Sequence, residues 1–286
     1  MLMDMPWNDR AGRVSALRIA ALLLIVLPAL ILAIDAATGG LGAKPLTEAI
    51  HRTGDWAVRL LLVTLAVTPL RRIGGWGRLV IVRRLLGLAA FGYALAHLTL
   101  YAADQNWNPL RVITEIVSRI YLTVGFVTLA GLAVLAATST DAAIRRMGSR
   151  WHKLHQIAYG LTALAILHFF MQSKIDAWQA ALMMGFWLLL MGWRLAHKLG
   201  RSLASPLTLA AVAVLATLAT AVLEAVWYGV ATRVPWQAIL SANLSLDPSP
   251  RPAVWVLVVG LAVALLPLRT RLPYFRRPAT RQARSS

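Results

Sequence analysis

No cysteine occurs anywhere in the chain. That absence removes disulfides, iron–sulfur clusters, thiolate-ligated haem and cysteine-based zinc sites. Any redox cofactor must be held by histidine, methionine, carboxylate or non-covalent contacts. Acidic side chains are scarce, with 11 Asp and Glu against 29 Lys and Arg, a formal charge of +18. A Walker phosphate loop, a dinucleotide-binding glycine fingerprint on a strand–helix unit and an HExxH zinc motif are also missing. No hydrophilic stretch is large enough for a soluble domain that could house a nicotinamide or molybdenum site. If electrons move through this protein, their donor and acceptor come from elsewhere.

What is present is apolar. Of 286 residues 59% are hydrophobic and the mean hydropathy is +0.66, more than a soluble domain of this size needs. A polytopic membrane protein follows. The positive charge does not form a basic face suited to nucleic acid; it sits in short gaps between apolar runs.

Eight such runs can be read, at about 19–34, 56–70, 85–101, 120–137, 151–171, 178–195, 207–230 and 253–268. The first follows Arg10, Arg13 and Arg18. It exceeds a signal-peptide core and no small-x-small cleavage site follows, so it reads as a retained helix. The second gap (Arg71, Arg72, Arg78, Arg83, Arg84), the fourth (Arg145, Arg146, Arg150, Lys153) and the sixth (Arg194, Lys198, Arg201) are basic. So are both termini, the tail carrying Arg269, Arg271, Arg276, Arg277, Arg281 and Arg284. The alternate gaps are near neutral: 35–55, a loop holding Asp104, Arg111 and Glu115, a short turn with Lys174 and Asp176, and a Pro- and Ser-rich loop at 234–252. Positive-inside topology then gives eight transmembrane helices with both termini cytoplasmic.

The fifth run, 151–171, carries His155 near one end and His168 near the other. Thirteen residues separate them, about 20 Å along a helix. His97 lies the same distance past Arg84 on the third run, which crosses in the same direction. On that ruler His97 and His168 share a depth near the outer face, as bis-histidine ligation of haem b requires, the alternative being two hydrogen-bonded packing residues, and His155 sits near the inner face. A single straight helix sets His155 and His168 about 140° apart, so stacked sites need a bend or overwinding, for which Gly160 is a permissive place. His152, His51 and His197 read as solvated surface groups. Arg59, one turn inside the second run, is placed either to meet a haem propionate or to snorkel to the outer surface.

The stretches G54-D-W-A-V-R-L-L-L-V-T-L-A-V-T-P-L-R-R72, R83-R-L-L-G-L-A-A-F-G-Y-A-L-A-H97 and T138-S…R145-R-M-G-S-R-W-H-K-L-H155 resemble the MsrQ (YedZ) family, over about residues 10–200. That family comprises haem-binding membrane subunits of a periplasmic methionine-sulfoxide reductase system, grouped with ferric-reductase-like transmembrane proteins. The resemblance implies an all-α integral membrane bundle with a six-helix ferric-reductase-like core in residues 1–201, and a two-helix extension with a basic tail in 202–286. It implies a bacterial inner-membrane location and electron transfer from the quinone pool, or from a cytosolic flavin reductase, and it links bound FMN to the membrane subunit itself. The acceptor implied is a periplasmic molybdopterin enzyme (MsrP-like) that repairs oxidised periplasmic proteins. It further implies haem-iron ligation by His97, His168 and His155. Relatives with four histidines would have one more on the third helix at the level of His155; Arg84 is near that level here. The inner site is left with one histidine, an unidentified second ligand or a flavin.

The expectation is therefore an electron-relaying b-type cytochrome with one or two haems and no substrate chemistry of its own. A transmembrane ferric or metal reductase is the alternative enzyme reading. A non-redox transporter or structural membrane protein would bind no haem, and paired broken helices or an intramembrane acidic cluster that would favour a transporter are not evident.

Overall fold

The computed structural model describes residues 5, 7–8, 12–173, 176–245 and 249–269; Arg10, Lys174 and the tail beyond 269 lie outside these. Among the described residues the long elements are all helices. Ser15 caps α1 (Ala16–Thr38), its hydroxyl accepting the Arg18 N–H at 3.5 Å. A short turn leads to α2 (Pro45–Ile73), with proline in its first turn and Glu48 near its N-terminus, where both are favoured. A 3-10 turn (Gly77–Leu79) opens α3 (Val80–Asp104), followed by α4 (Pro109–Ser118) and α5 (Ile120–Ala137). Then come α6 (Asp141–Met147), α7 (Ser149–His155), α8 (Ala158–Gln172) and α9 (Trp178–Lys198). The chain closes with α10 (Pro206–Thr232), α11 (Trp236–Ala242), α12 (Pro252–Ala264) and α13 (Leu266–Arg269).

Six segments among the described residues are long and apolar enough to cross a membrane: α1, α3 with its 3-10 turn, α5, α7 with α8, α9 and α10. Of the eight expected spans, the other two are α2 and the final run. The first has 29 residues but carries charges at both ends, and the second is short and broken at Leu265. The chain is an all-α membrane protein, a polytopic helix bundle.

Helix α2 packs on α3, α8 and α9, while α5 packs on α8. Leu60 and Leu65 of α2, Leu86 of α3, Ile166 of α8 and Leu189 of α9 are sealed in this contact zone. Helices α10 and α12 pack on each other and on α9. Gly260 permits the approach of α12 to α10, since a Cβ there would lie 2.5 Å from the Cβ of Ala213. Large apolar side chains of α1 and α10, among them Leu23, Leu30, Leu215 and Val222, remain exposed, as a lipid-facing surface demands.

Helices α1 and α2 each contain an interior proline, and a polar side chain from a neighbour reaches the backbone near each. Pro69 has no N–H to give the Leu65 carbonyl, and the Arg194 guanidinium of α9 donates to that carbonyl instead. Pro28 disturbs the turn of α1 that includes Ile25, whose carbonyl accepts the Tyr93 hydroxyl at 2.7 Å. An orphaned carbonyl is costly in an apolar bundle, so Arg194 ties α9 to α2 at Leu65, and the Tyr93 hydroxyl adds a tie between α3 and α1.

Several expected loops are helical. The segment after Asp104 forms α4 because Asn108 accepts the Arg111 N–H at 3.1 Å and Pro109 occupies the first turn. Most of 35–55 belongs to α1 and α2, so His51 stands on a helix and not in a loop. The Pro- and Ser-rich stretch contains α11, although residues 246–248 lie outside the described set. The run expected as one helix over 151–171 breaks after His155. The Gln156 and Ile157 amides reach back three residues, to Lys153 and Leu154, in a tight turn, so the break precedes Gly160.

Replacing Arg194 with Met should lower stability by about 1–3 kcal/mol, because the Leu65 carbonyl loses its donor in an apolar site. In a Pro69→Ala background the loss should shrink, since the alanine N–H can take over that carbonyl. Thermal unfolding of the four proteins in one detergent checks this cycle.

Candidate functional site

Helices α3 and α8 each present one imidazole to a shared cavity, and each ring is fixed in the same way. His97 Nδ1 lies 2.8 Å from the Ile50 carbonyl of α2, and His168 Nδ1 lies 2.8 Å from the Tyr121 carbonyl of α5. A carbonyl only accepts, so each Nδ1 carries the proton and each Nε2 keeps its lone pair. One turn beyond each carbonyl stands a glycine against which the ring rests. A Cβ on Gly54 would lie 3.0 Å from His97 Nδ1, and one on Gly125 would lie 2.9 Å from His168 Nδ1. Carbonyl and histidine are 47 residues apart in both cases. The pair α2–α3 and the pair α5–α8 are therefore two copies of one histidine mount.

The two rings face each other with centres 6.2 Å apart and planes at 84°. A metal about 2 Å from one nitrogen of each ring would hold the ring centres roughly 6 Å apart, so the observed separation leaves room for one ion between them. The cavity around the rings measures about 530 Å³, within the range of small-molecule and cofactor sites. Its walls are apolar, with Val58, Leu61, Leu129 and Leu132, while Asp55, Asp104, Asp176 and Gln179 mark its polar edge. Among the described residues no group of three or more His, Cys, Asp or Glu could hold a bare metal ion. Two opposed imidazoles with apolar surroundings instead suit a planar cofactor that brings its own equatorial ligands, as haem does.

Arg59 stands beside the cavity edge. Its guanidinium donates to Gln179 Oε1 at 3.0 Å, lies 3.7 Å from the Asp55 carboxylate and sits over the Trp56 ring at 5.1 Å. His51 lines the cavity too, but its side chain is exposed.

His155 does not join His97 and His168. Its ring is stacked on Trp151 with centres 3.8 Å apart, its Nδ1 lies 3.2 Å from the Trp151 carbonyl and its Nε2 lies 3.4 Å from Ser139 Oγ. Arg84, thirteen residues before His97 as His155 is before His168, pairs with Asp141 at 2.6 Å. His152 contacts the edge of Trp151, and His197 is exposed at the end of α9.

Ile50, Gly54, Tyr121 and Gly125 escaped the sequence reading because apolar and glycine positions in a membrane helix look ordinary. The available signal was a shared spacing. Each glycine stands four positions beyond its carbonyl residue, and at one common distance before its histidine.

Residues 53–166 match the family model described as the ferric reductase like transmembrane component. The chain is 47% identical over 164 residues to the protein-methionine-sulfoxide reductase heme-binding subunit MsrQ of Xanthomonas campestris pv. campestris (strain 8004), covering 56% of this chain and 73% of that protein. It is 41% identical over 163 residues to the MsrQ subunit of Bordetella pertussis, covering 56% of this chain and 79% of the relative. No solved structure matches the chain.

The tight seat of His168 can be tested without any ligand. Gly125→Ala should destabilise the protein by about 1–3 kcal/mol, because the new methyl displaces a hydrogen-bonded ring. Gly160→Ala, with nothing within 4 Å of the added Cβ, should be neutral or stabilising by up to about 1 kcal/mol. Thermal unfolding in detergent distinguishes the two.

Proposed function

The chain belongs to the family of the MsrQ heme-binding subunits of protein-methionine-sulfoxide reductase, and on that premise we propose that it holds haem b between His97 and His168 and relays electrons across a membrane. The observation that carries the proposal is the facing pair of imidazoles, 6.2 Å between ring centres, with both Nδ1 protons committed to backbone carbonyls. Bound there, haem supplies a one-electron carrier.

The protein's own groups set the conditions for that carrier. His97 and His168 would hold the iron through their Nε2 atoms. The Ile50 and Tyr121 carbonyls keep those atoms unprotonated and make the rings more basic donors. The apolar walls exclude water, which tunes the potential of any buried redox group. Arg59 provides a cation beside the rim, suited to a haem propionate.

The finer assignments follow the family. We place the protein in a bacterial inner membrane with both termini cytoplasmic and the His97–His168 site toward the periplasm, because the basic gaps mark the cytoplasmic side. Electrons would come from quinol or a cytosolic flavin reductase, with FMN as a carrier at the entry. They would leave to a periplasmic molybdopterin-containing, MsrP-like reductase that repairs methionine sulfoxide in oxidised proteins. His155 would serve the entry side, as a ligand of a second haem or beside a flavin. Residues 1–201 would form the redox core and residues 202–286 an extension packed on it.

Purified His97→Ala and His168→Ala proteins should each lose the low-spin b-type absorption spectrum, whereas His155→Ala should keep it and be reduced more slowly from the cytoplasmic side. Normal haem content and spectrum in both of the first two variants would overturn the ligand assignment.

A further inference from the structure

We propose that Tyr228 is a positioning residue for the edge of the His97–His168 cavity, acting from the C-terminal helices through Ala177 and Gln179 upon Arg59; the proposal rests on haem binding in that cavity. Glu224 of α10 is completely buried. Its carboxylate accepts from Arg251 at 2.6 Å and from Asn243 Nδ2 at 3.0 Å. A buried ion pair is a weak source of stability compared with apolar packing, so its use points to placement of something nearby. Arg251 lies over the Tyr228 ring, 5.6 Å from its centre. The Tyr228 hydroxyl accepts the Ala177 N–H at 3.1 Å.

Ala177 is sealed from solvent and caps the start of α9. A second tie comes from Trp178, whose indole N–H donates to the Pro250 carbonyl at 3.3 Å. The C-terminal helices thus grip the first turn of α9 from behind. On its other side that turn presents Gln179 to the cavity edge, where its carbonyl holds the Arg59 guanidinium at 3.0 Å. Without this acceptor the guanidinium keeps only Asp55, at 3.7 Å, and the Trp56 face, both on its own helix, and can shift toward water. A cation kept beside the cavity favours the state that has gained an electron, so the grip on α9 sets the haem potential.

The test is a double-mutant cycle on full-length, haem-loaded protein, with Tyr228→Phe and Arg59→Gln read by redox titration of the haem. At the wild-type midpoint, Tyr228→Phe should lower the ratio of reduced to oxidised haem by about threefold, the scale of a partly exposed charge. Arg59→Gln should lower it further, and adding Tyr228→Phe to Arg59→Gln should change nothing more. An unchanged ratio in Tyr228→Phe, even with reduced thermal stability or haem content, overturns the proposal, as does full additivity in the double variant. If Tyr228→Phe does not accumulate, Trp178→Phe removes the Pro250 contact and carries the same cycle to the same outcomes. A wild-type protein that takes up no haem overturns the haem assignment itself, and this proposal with it.

Discussion

The hydrogen bond from each histidine Nδ1–H to a backbone carbonyl of the neighbouring helix is the constraint on which the rest of this site depends. It fixes which nitrogen is free, it fixes the ring's direction, and it needs a glycine on the neighbour so that the ring can come close. A pair of helices meeting these conditions makes one mount, and the chain contains two, opposed across a cavity. The result is two imidazoles on neighbouring helices with ring centres 6.2 Å apart. The proposed electron-relay role rests on that geometry, because two imidazoles held in an apolar pocket suit a buried one-electron carrier better than substrate chemistry.

The same rule of satisfied backbone groups governs the bundle that carries the mounts. In lipid, every carbonyl released by a proline must find a donor within the protein. Arg194 answers Pro69 and joins α9 to α2, while the Tyr93 hydroxyl on the Ile25 carbonyl joins α3 to α1. The helices that carry Ile50 and His97 are thereby fixed against their neighbours. The C-terminal helices add a further set of polar ties at the start of α9, close to the cavity edge.

Much of this was legible in the chain. Long apolar runs and charge in alternate gaps are strong signals, because membrane insertion itself responds to them, and they yielded the helical bundle. The equal thirteen-residue spacing from Arg84 to His97 and from His155 to His168 gave the common depth of two histidines. Spacing carries no azimuth across a break, so the turn at Gln156 and Ile157, and the stacking of His155 on Trp151, could not be read from it. Helix α4 was mistaken for a loop because its proline and polar residues are also turn residues; only their order, Asn108 before Pro109, marks a helix start. Backbone carbonyls as ring partners leave no residue-type signature at all, and for that reason Ile50 and Tyr121 emerged only from the structure.

The most direct test of the central claim is the reduced-minus-oxidised absorption spectrum of the purified wild-type protein, with haem quantified per chain by pyridine haemochrome. The account predicts haem b in a low-spin state, as two imidazole ligands impose. A protein that binds no haem when expressed with ample supply, or one whose haem is high-spin with an open coordination position, would contradict it.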